Sequence, residues 1–279
     1  MQNMMIYYFS GTGNTKKITK LFAEALEECG AKAEIRDIVA CDAPVTDGYD
    51  AIGIAYPVHG FNTPEIVTDF AKKLPCGNGK PLFALKTSGE PLRLNDASSL
   101  ELSRIAESKG YRFIGERHYV MPYNMVYRHS DAMAAKMLAT AKARIPKDAQ
   151  AVLLGTVAPL EYPLRARIMT VLCKIERPGM RLNGRLYKVN KDKCIGCMKC
   201  VRGCPVGNIE FENGKFRFGG NCIGCARCAF GCPADAITTG LLNPIKVNGA
   251  YNFDADPEEA VIGAYCRKSY EKYFADKSE

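Results

Sequence analysis

The stretch Met4–Thr15, MMIYYFSGTGNT, changes its pattern in the middle, and this change decides the fold of the N-terminal half. Its first six residues form a short apolar run, which predicts a buried strand that stops at Ser10. The sequence therefore predicts a strand, a tight turn and a helix, which together begin a βαβ unit. From Asn14 onward the apolar residues recur at helical spacing, and they are Ile18, Leu21, Phe22, Ala25 and Leu26.

Strand and helix patterns continue to alternate through the first 160 residues. Thr63 is expected to cap one of the helices, with Pro64 in its first position. Strands that alternate with helices at this spacing form βαβ units, so we expect an α/β fold with a doubly wound sheet of five parallel strands. The other strands are predicted at 33–39, 51–55, 81–86 and 113–120, and the other helices at 63–74, 100–108 and 131–144.

The composition excludes several other classes of protein. Of the 279 residues, 47% are hydrophobic and 24% are charged, as in globular proteins, which excludes disorder and collagen. The longest uncharged apolar stretch, residues 151–160, is too short for a helix that spans a bilayer. The N-terminus lacks the features of a signal peptide. Thirteen cysteines without such a signal indicate metal or redox chemistry, so we expect a cytoplasmic protein.

The charge and the cysteines are both concentrated in one part of the chain. The formal net charge is +8, and residues 161–205, with 11 Lys and Arg against 3 Asp and Glu, account for all of it. Eight cysteines lie between Cys194 and Cys232, whereas the other five are scattered. These shifts predict a boundary near residues 160–190. The expected division is a first domain at 1–160, a basic connector at 161–186, a second domain at 187–240 and a tail at 241–279.

The strongest signal is a cysteine motif that occurs twice. Cys194–Pro205, CIGCMKCVRGCP, returns after 28 residues as Cys222–Pro233, CIGCARCAFGCP. Each copy has the C-x2-C-x2-C-x3-C-P spacing that holds [4Fe-4S] clusters, because three evenly spaced thiolates can wrap one corner of a cubane. A pair of zinc sites would use cysteine pairs with a longer gap between them, and a disulfide knot is the other alternative.

Over about residues 186–240 the sequence resembles the bacterial ferredoxins that carry two [4Fe-4S] clusters. The resemblance implies a small α+β domain in which each cluster takes three ligands from one motif and the fourth from the other. Residues 211–218, around Asn213-Gly214, are predicted to form a hairpin between the motifs. The implied ligands are Cys194, Cys197, Cys200 and Cys232 for one cluster, and Cys222, Cys225, Cys228 and Cys204 for the other.

The turn after the first strand, Ser10–Thr15, is rich in glycine and hydroxyl side chains. It lacks the third glycine of a dinucleotide-binding fingerprint and the spacing of a P-loop. Its amides and hydroxyls lie at a helix N-terminus and could surround a phosphate, or the turn is simply capped and has no ligand. In a doubly wound sheet, ligands bind at the carboxyl ends of the strands, so the loops after strands three and four are expected nearby.

The pattern [ST]-x-T-G-x-T in this turn resembles the FMN phosphate loop of the flavodoxins, and the resemblance covers about residues 1–150. It implies that FMN is bound and that the other two loops approach the isoalloxazine ring. Small flavodoxins commonly stack an aromatic side chain from the third loop on the flavin, and this chain has none there. One flavin face is therefore either open to a substrate or covered by the second domain. The implied FMN-binding residues are Ser10, Gly11, Thr12, Gly13, Asn14, Thr15, Tyr56, Pro57, His59, Gly60, Phe61, Thr87, Ser88 and Gly89.

Three side chains of the second loop have two interpretations each. Tyr56 and Phe61 either stack on the flavin or pack in the core. His59 either donates a hydrogen bond to the flavin or a substrate, or has a structural role.

The whole chain resembles a family of bacterial flavodoxin–ferredoxin fusions that is most familiar from anaerobes. FMN and two clusters on one chain imply an electron-transfer flavoprotein that couples one- and two-electron steps. Its expected partner is a redox protein, such as a ferredoxin or another low-potential donor or acceptor. The alternative is an enzyme in which FMN reduces a quinone or a nitro compound. No catalytic residue and no nicotinamide site are predicted.

The basic connector, residues 161–186, is predicted to be helical, and Pro178-Gly179 is expected to end it. A last helix is predicted around residues 258–273. The connector is either a solvated linker, a counter-charge to the clusters, or a surface that steers an acidic partner. Nucleic-acid binding is disfavoured because no aromatic residues are interleaved with the basic ones. The connector's apolar residues at helical spacing are Leu164, Ile168, Val171, Leu172 and Ile175.

Overall fold

Five parallel strands form the central sheet of this computed structural model, which describes residues 1–157 and 161–275. The strand order is β2-β1-β3-β4-β5, and every neighbouring pair is parallel. The expected doubly wound, flavodoxin-like sheet is thereby confirmed. The strands are β1 (Asn3–Tyr8), β2 (Lys32–Asp37), β3 (Ala51–Pro57), β4 (Pro81–Ser88) and β5 (Arg112–Val120).

Helices cover both faces of this sheet, because alternate side chains of each buried strand point to opposite faces. One core packs α1 (Asn14–Glu28) and α4 (Asp131–Leu154) against the sheet. The other core packs α2 (Glu65–Lys72) and α3 (Leu100–Ser108) against the opposite face. The first strand contributes to both, with Met4, Ile6 and Tyr8 in the first core and Met5 and Tyr7 in the second.

Two helix boundaries differ from the prediction. Thr63 does not cap α2, because its hydroxyl donates instead to the carbonyl oxygen of Ser98 at 2.8 Å, and Pro64 occupies the N-cap position. α4 continues past residue 144 to Leu154, although it contains Pro146. The residues after this proline keep the helical spacing of buried positions, so their packing against the sheet maintains the helix.

The connector is helical almost throughout. It forms α5 (Leu164–Leu172), a 3-10 turn (Cys173–Ile175) and α6 (Glu176–Gly184). The prediction that Pro178-Gly179 ends the helix was wrong. Pro178 lies in the first turn of α6, where its missing N–H has no helical partner to lose.

The cysteine-rich part forms a small α+β domain, as expected. Two short antiparallel pairs frame it, and Asn213 and Gly214 adopt the left-handed conformations, φ 50° and 73°, of the predicted hairpin turn. Its elements are β6 (Tyr187–Val189), α7 (Lys199–Arg202), β7 (Ile209–Glu212), β8 (Lys215–Phe218), α8 (Arg227–Phe230) and β9 (Ile237–Thr239).

The tail returns to the flavodoxin-like part. Its helix, α9 (Arg267–Ala275), begins later than predicted, and only a 3-10 turn forms at Pro257–Glu259. Tyr270 and Tyr273 are buried beside the end of β5, where the Tyr273 hydroxyl accepts a hydrogen bond from the Val120 amide. The predicted boundary at residue 160 falls on residues 158–160, which lie outside the described residues. Within the described residues, no helix is both long and apolar enough to cross a membrane.

Candidate cofactor sites

A cavity of about 370 Å³ lies at the carboxyl ends of β1, β3 and β4. Its volume falls in the range of roughly 300–1,000 Å³ that is usual for ligand sites. The three loops that were predicted from the sequence all contribute to its lining. From the predicted set, the lining residues are Ser10, Gly11, Thr12, Asn14, Thr15, Pro57, His59, Gly60, Phe61, Thr87, Ser88 and Gly89.

The first loop presents the N-terminus of α1 to this cavity. Gly13 adopts the left-handed conformation, φ 103°, as the N-cap residue, and its amide donates to the Ser10 hydroxyl. The hydroxyls of Thr15 and Thr87 hydrogen-bond over 2.9 Å and join the first loop to the third. The Thr12 hydroxyl accepts from the Asn124 amide at 3.3 Å. The free amides of a 15-residue helix and these hydroxyls suit a phosphate, so the loop fits the group that the resemblance implies.

Two predicted residues do not line the cavity. Tyr56 is completely buried in the core between the sheet and α2, so the expectation that it contacts the flavin was wrong. Its position in β3 sends its side chain to the face of the sheet rather than to the end of the strand. The second residue is Gly13, which contributes to the turn through its left-handed backbone conformation. Phe61, in contrast to Tyr56, does line the cavity.

A fourth loop, Met121–Val126 after β5, also lines the cavity and was missed in the sequence. Its Tyr123 hydroxyl donates to the carboxylate of Glu90, which follows the third loop, and burial raises the pKa of Glu90. The rule that ligands bind at the carboxyl ends of strands applies to β5 as well and would have identified this loop.

The cavity is covered by parts of the chain that lie far away in sequence. The connector supplies Glu176 and Met180, and the second cysteine loop supplies Gly224. The tail supplies three more residues, Leu242, Ile245 and Tyr265. These residues lie over the cavity, and Gly224 is the contribution of the second domain to this cover among the lining residues.

Partial or full burial disfavours the charged form of all three histidines, of which His129 is the most buried at 6% exposure. The His59 ring hydrogen-bonds the backbone of Ile223, which ties the second loop to a cysteine loop, and burial lowers its pKa to about 4. His118 contacts the Ser88 hydroxyl at 2.8 Å, and burial, with the nearby charges of Lys86 and Arg144, lowers its pKa to about 3. Burial lowers the pKa of His129 to about 4. This contact gives His59 a structural role, and because His59 also lines the cavity, a hydrogen bond to the flavin or a substrate stays a prediction.

We expect the free energy of unfolding to decrease as the pH falls from about 6.5 toward 4. A histidine whose pKa is lowered on folding stabilises the protein above its unfolded pKa, and this contribution is lost as the unfolded chain takes up protons. At pH 5.5, each of the three histidines should lower the free energy of unfolding by about 1 kcal/mol. Anaerobic urea titrations at about pH 7.5 and 5.5 measure the loss, and His118→Asn should retain only about two-thirds of it. An identical pH dependence in wild type and variant would contradict this assignment.

The two cysteine motifs fold into equivalent loops. Met198 and Ala226, 28 residues apart, both have φ 57° and begin the short helices α7 and α8. The sulfur of Cys204 accepts a hydrogen bond from an amide at 3.2 Å, and that of Cys232 does so at 3.3 Å. The repeat in the sequence is therefore a repeat of backbone geometry, with amides aimed at sulfur.

The thiols associate across the two loops. Burial raises the pKa of Cys222, Cys225 and Cys228, that of Cys225 to about 11, and the nearby Cys204 raises all three further. In the other loop, burial raises the pKa of Cys200, and Cys232 is among the neighbours that add to it. Each fourth cysteine thus lies with the opposite motif, as the implied ligand sets require. Among the described His, Cys, Asp and Glu side chains, no three converge tightly enough for a single metal ion.

The second cysteine loop packs directly on the phosphate loop, whereas the first does not. A Cβ added to Gly11 would lie 2.2 Å from the carbonyl oxygen of Cys225, so only glycine permits this approach. The Arg227 guanidinium donates to the carbonyl oxygen of Ser10 at 2.7 Å. Ile195 in the first loop is 67% exposed. The site formed by the second loop is therefore the one beside the cavity.

Comparisons with known proteins also distinguish an N-terminal part of the chain from the cysteine-rich part. A flavodoxin domain model matches residues 5–81, and a 4Fe-4S binding domain model matches residues 187–210. The chain thus joins a flavodoxin domain to a 4Fe-4S domain, and this combination is that of an electron-transfer protein with FMN and iron–sulfur centres. A search of curated proteins found no match.

Several solved structures are similar to a part of this chain. A flavodoxin from Streptococcus pneumoniae TIGR4 is 19% identical and covers 55% of this chain and 98% of its own, with a TM-score of 0.43. Flavodoxin 2 from Bacillus cereus is 14% identical over the same shares, with a TM-score of 0.42. Rubredoxin oxygen:oxidoreductase from Desulfovibrio gigas is 15% identical and covers 57% of this chain and 38% of its own, with a TM-score of 0.39.

Proposed function

We propose that this protein relays electrons between a redox partner, two [4Fe-4S] clusters and an FMN in the cytoplasm. The observation that carries the proposal is the direct contact of Cys225 in the second cysteine loop with Gly11 in the phosphate loop. When bound, FMN couples one- and two-electron steps, whereas each cluster passes single electrons. The α1 N-terminus, Ser10 and Thr12 would hold the FMN phosphate.

The two cysteine loops have different parts in this relay. The second loop is packed against the cavity, so its residues hold the cluster that exchanges electrons with the flavin. The first loop is exposed and surrounded by exposed basic side chains, which suits an acidic redox partner such as a ferredoxin. These side chains are Lys191, Lys193, Lys199 and Arg202.

A second candidate function is the reduction of a small molecule, such as a quinone or nitro compound, at the same cavity. It is favoured by one observation. The buried carboxyl of Glu90 and the hydroxyl of Tyr123 form a hydrogen-bonded pair in the cavity wall, where Tyr265 is 51% exposed. Such a pair could supply a proton to a bound substrate.

Cofactor analysis of anaerobically prepared protein tests the proposal first. We expect about eight iron atoms, eight sulfides and one FMN per chain; zinc in place of iron would refute it. The reduced protein is then mixed with a ferredoxin or with a quinone. Rapid reoxidation by the ferredoxin alone supports the relay, and rapid reoxidation by the quinone alone supports the reductase.

A further inference from the structure

The connector presents an apolar face to the outside of the molecule. Leu164–Gly184 is one continuous helical segment, formed by α5, the 3-10 turn and α6. Six large aliphatic side chains share one side of it, at the spacing of a 3.6-residue turn. They are between 50% and 75% exposed, and we call them the connector stripe: Leu164, Ile168, Val171, Leu172, Ile175 and Leu182.

The opposite face of the same segment is anchored to the body of the protein. Ala166 and Thr170 are buried, and the carbonyl oxygen of Thr170 accepts from the Asn62 amide at 3.0 Å. Two ion pairs add to this attachment, Arg177 to Glu101 at 3.0 Å and Arg181 to Glu65 at 2.8 Å. Because these contacts fix the rotation of the helix, the stripe cannot turn inward. An exposed apolar surface of this extent indicates an interaction site.

Basic side chains flank the stripe. Residues 164–185 contain six Lys and Arg and one acidic residue, Glu176, which turns toward the cofactor cavity. Arg165, Arg167 and Lys174 are exposed, and the ammonium of Lys174 lies 3.5 Å from the carboxylate of Glu101. A helix with aliphatic side chains on one side and Arg and Lys around them has the composition of segments that lie in the interface of anionic membranes.

We propose that the connector stripe docks this protein onto an anionic membrane surface. Four of its side chains, Leu164, Ile168, Val171 and Leu172, also border a cavity of about 620 Å³ against α3. The stripe is about 30 Å long and has no aromatic anchor of the kind that dominates protein interfaces. Its aliphatic side chains, with the exposed Arg165 and Arg167 beside them, match an anionic lipid interface. A second copy of the chain would bring the same basic side chains together and be repelled. The acidic redox partner has its own basic rim at the first cysteine loop.

Docking would bring the cofactor cavity near the lipid. The stripe and the cavity-lining Glu176 and Met180 lie on different sides of one helical segment. Because a helix with its side chains is about 10–12 Å across, a lipid surface in contact with the stripe would lie about that far from the cavity wall. The stripe contains none of the candidate cofactor ligands, so membrane docking and electron relay can fail independently.

Vesicle sedimentation of the anaerobically prepared full chain tests the proposal. We expect binding to vesicles of phosphatidylcholine mixed with phosphatidylglycerol, and much weaker binding to phosphatidylcholine alone. The triple variant Ile168→Gln/Leu172→Gln/Ile175→Gln should bind at least tenfold more weakly, since it removes most of the inserted apolar surface. Arg165→Gln/Arg167→Gln should lose roughly fivefold for each charge removed.

The matched control is Val45→Gln/Leu154→Gln/Val261→Gln, which changes three exposed aliphatic side chains that do not belong to the stripe. It should bind as the wild type does, and circular dichroism should show all variants to be folded. The proposal is overturned if the wild type does not bind anionic vesicles, or if the control loses as much affinity as the stripe variant. It is also overturned if light scattering shows a dimer that the stripe variant dissociates.

Discussion

Replacing Cys204 with alanine is expected to remove the cluster beside the FMN cavity, although Cys204 belongs to the first cysteine motif. Its thiol lies with Cys222, Cys225 and Cys228 of the second loop. A [4Fe-4S] cluster needs four ligands, so the iron content should fall from about eight to about four per chain. Electrons that enter at the first loop should then no longer reduce the flavin at a measurable rate.

Electron paramagnetic resonance identifies the cluster that is lost. The spectrum of reduced Cys204→Ala should match that of Cys228→Ala, in the same implied ligand set, and differ from that of Cys200→Ala. The control is Cys76→Ala, because Cys76 is an exposed thiol far from both motifs in sequence. If Cys204→Ala resembled Cys200→Ala instead, each motif would hold its own cluster and the crossed arrangement would be wrong.

Replacing Lys86 with methionine should destabilise the flavodoxin domain by about 3–5 kcal/mol, the cost of leaving a buried charge without its partner. Lys86 is 2% exposed, and its ammonium lies 2.6 Å from the carboxylate of Glu116, which is 9% exposed. The ammonium also donates to the carbonyl oxygens of Asn95 and Asp96. These bonds hold the segment that follows the third cavity loop, so FMN affinity should weaken as well.

A double variant tests whether the stability lost in Lys86→Met comes from the Glu116 charge that is left without a partner. Lys86→Met/Glu116→Leu removes both charges and should regain most of the stability that Lys86→Met loses. Urea titrations of the two variants and the wild type measure the difference. A loss of less than about 1 kcal/mol in Lys86→Met would show that the pair is not a buried ion pair in solution.

Most of the sheet and the positions of three cavity loops followed from the sequence, because strand periodicity and turn residues are local patterns. Two residues, Tyr56 and Pro178, were placed wrongly because their roles depend on the surrounding fold rather than on a local pattern. Tyr56 was expected in the site because it precedes Pro57 at the end of a strand, but the pleat turns its side chain into the core. Pro178 was expected to end the connector helix, but it falls in a first turn, where proline is tolerated.

The roles of the connector's basic residues also depended on contacts. Arg177 and Arg181 pair with Glu101 and Glu65, so they attach the connector to the flavodoxin domain rather than remain free to steer a partner. Nothing in the local sequence names these acidic partners, which lie more than seventy residues away.

The sequence alone was enough to predict the chemistry of this protein, since the spacing of eight cysteines and a glycine- and hydroxyl-rich turn are properties of short segments. Only the tertiary structure decided how these parts are arranged. It placed the second cysteine loop against the phosphate loop, closed the cavity with the connector and the tail, and left the connector stripe outside. Each of these results depends on contacts between residues distant in the chain, and such contacts are set by the packing of the whole fold rather than by any local pattern.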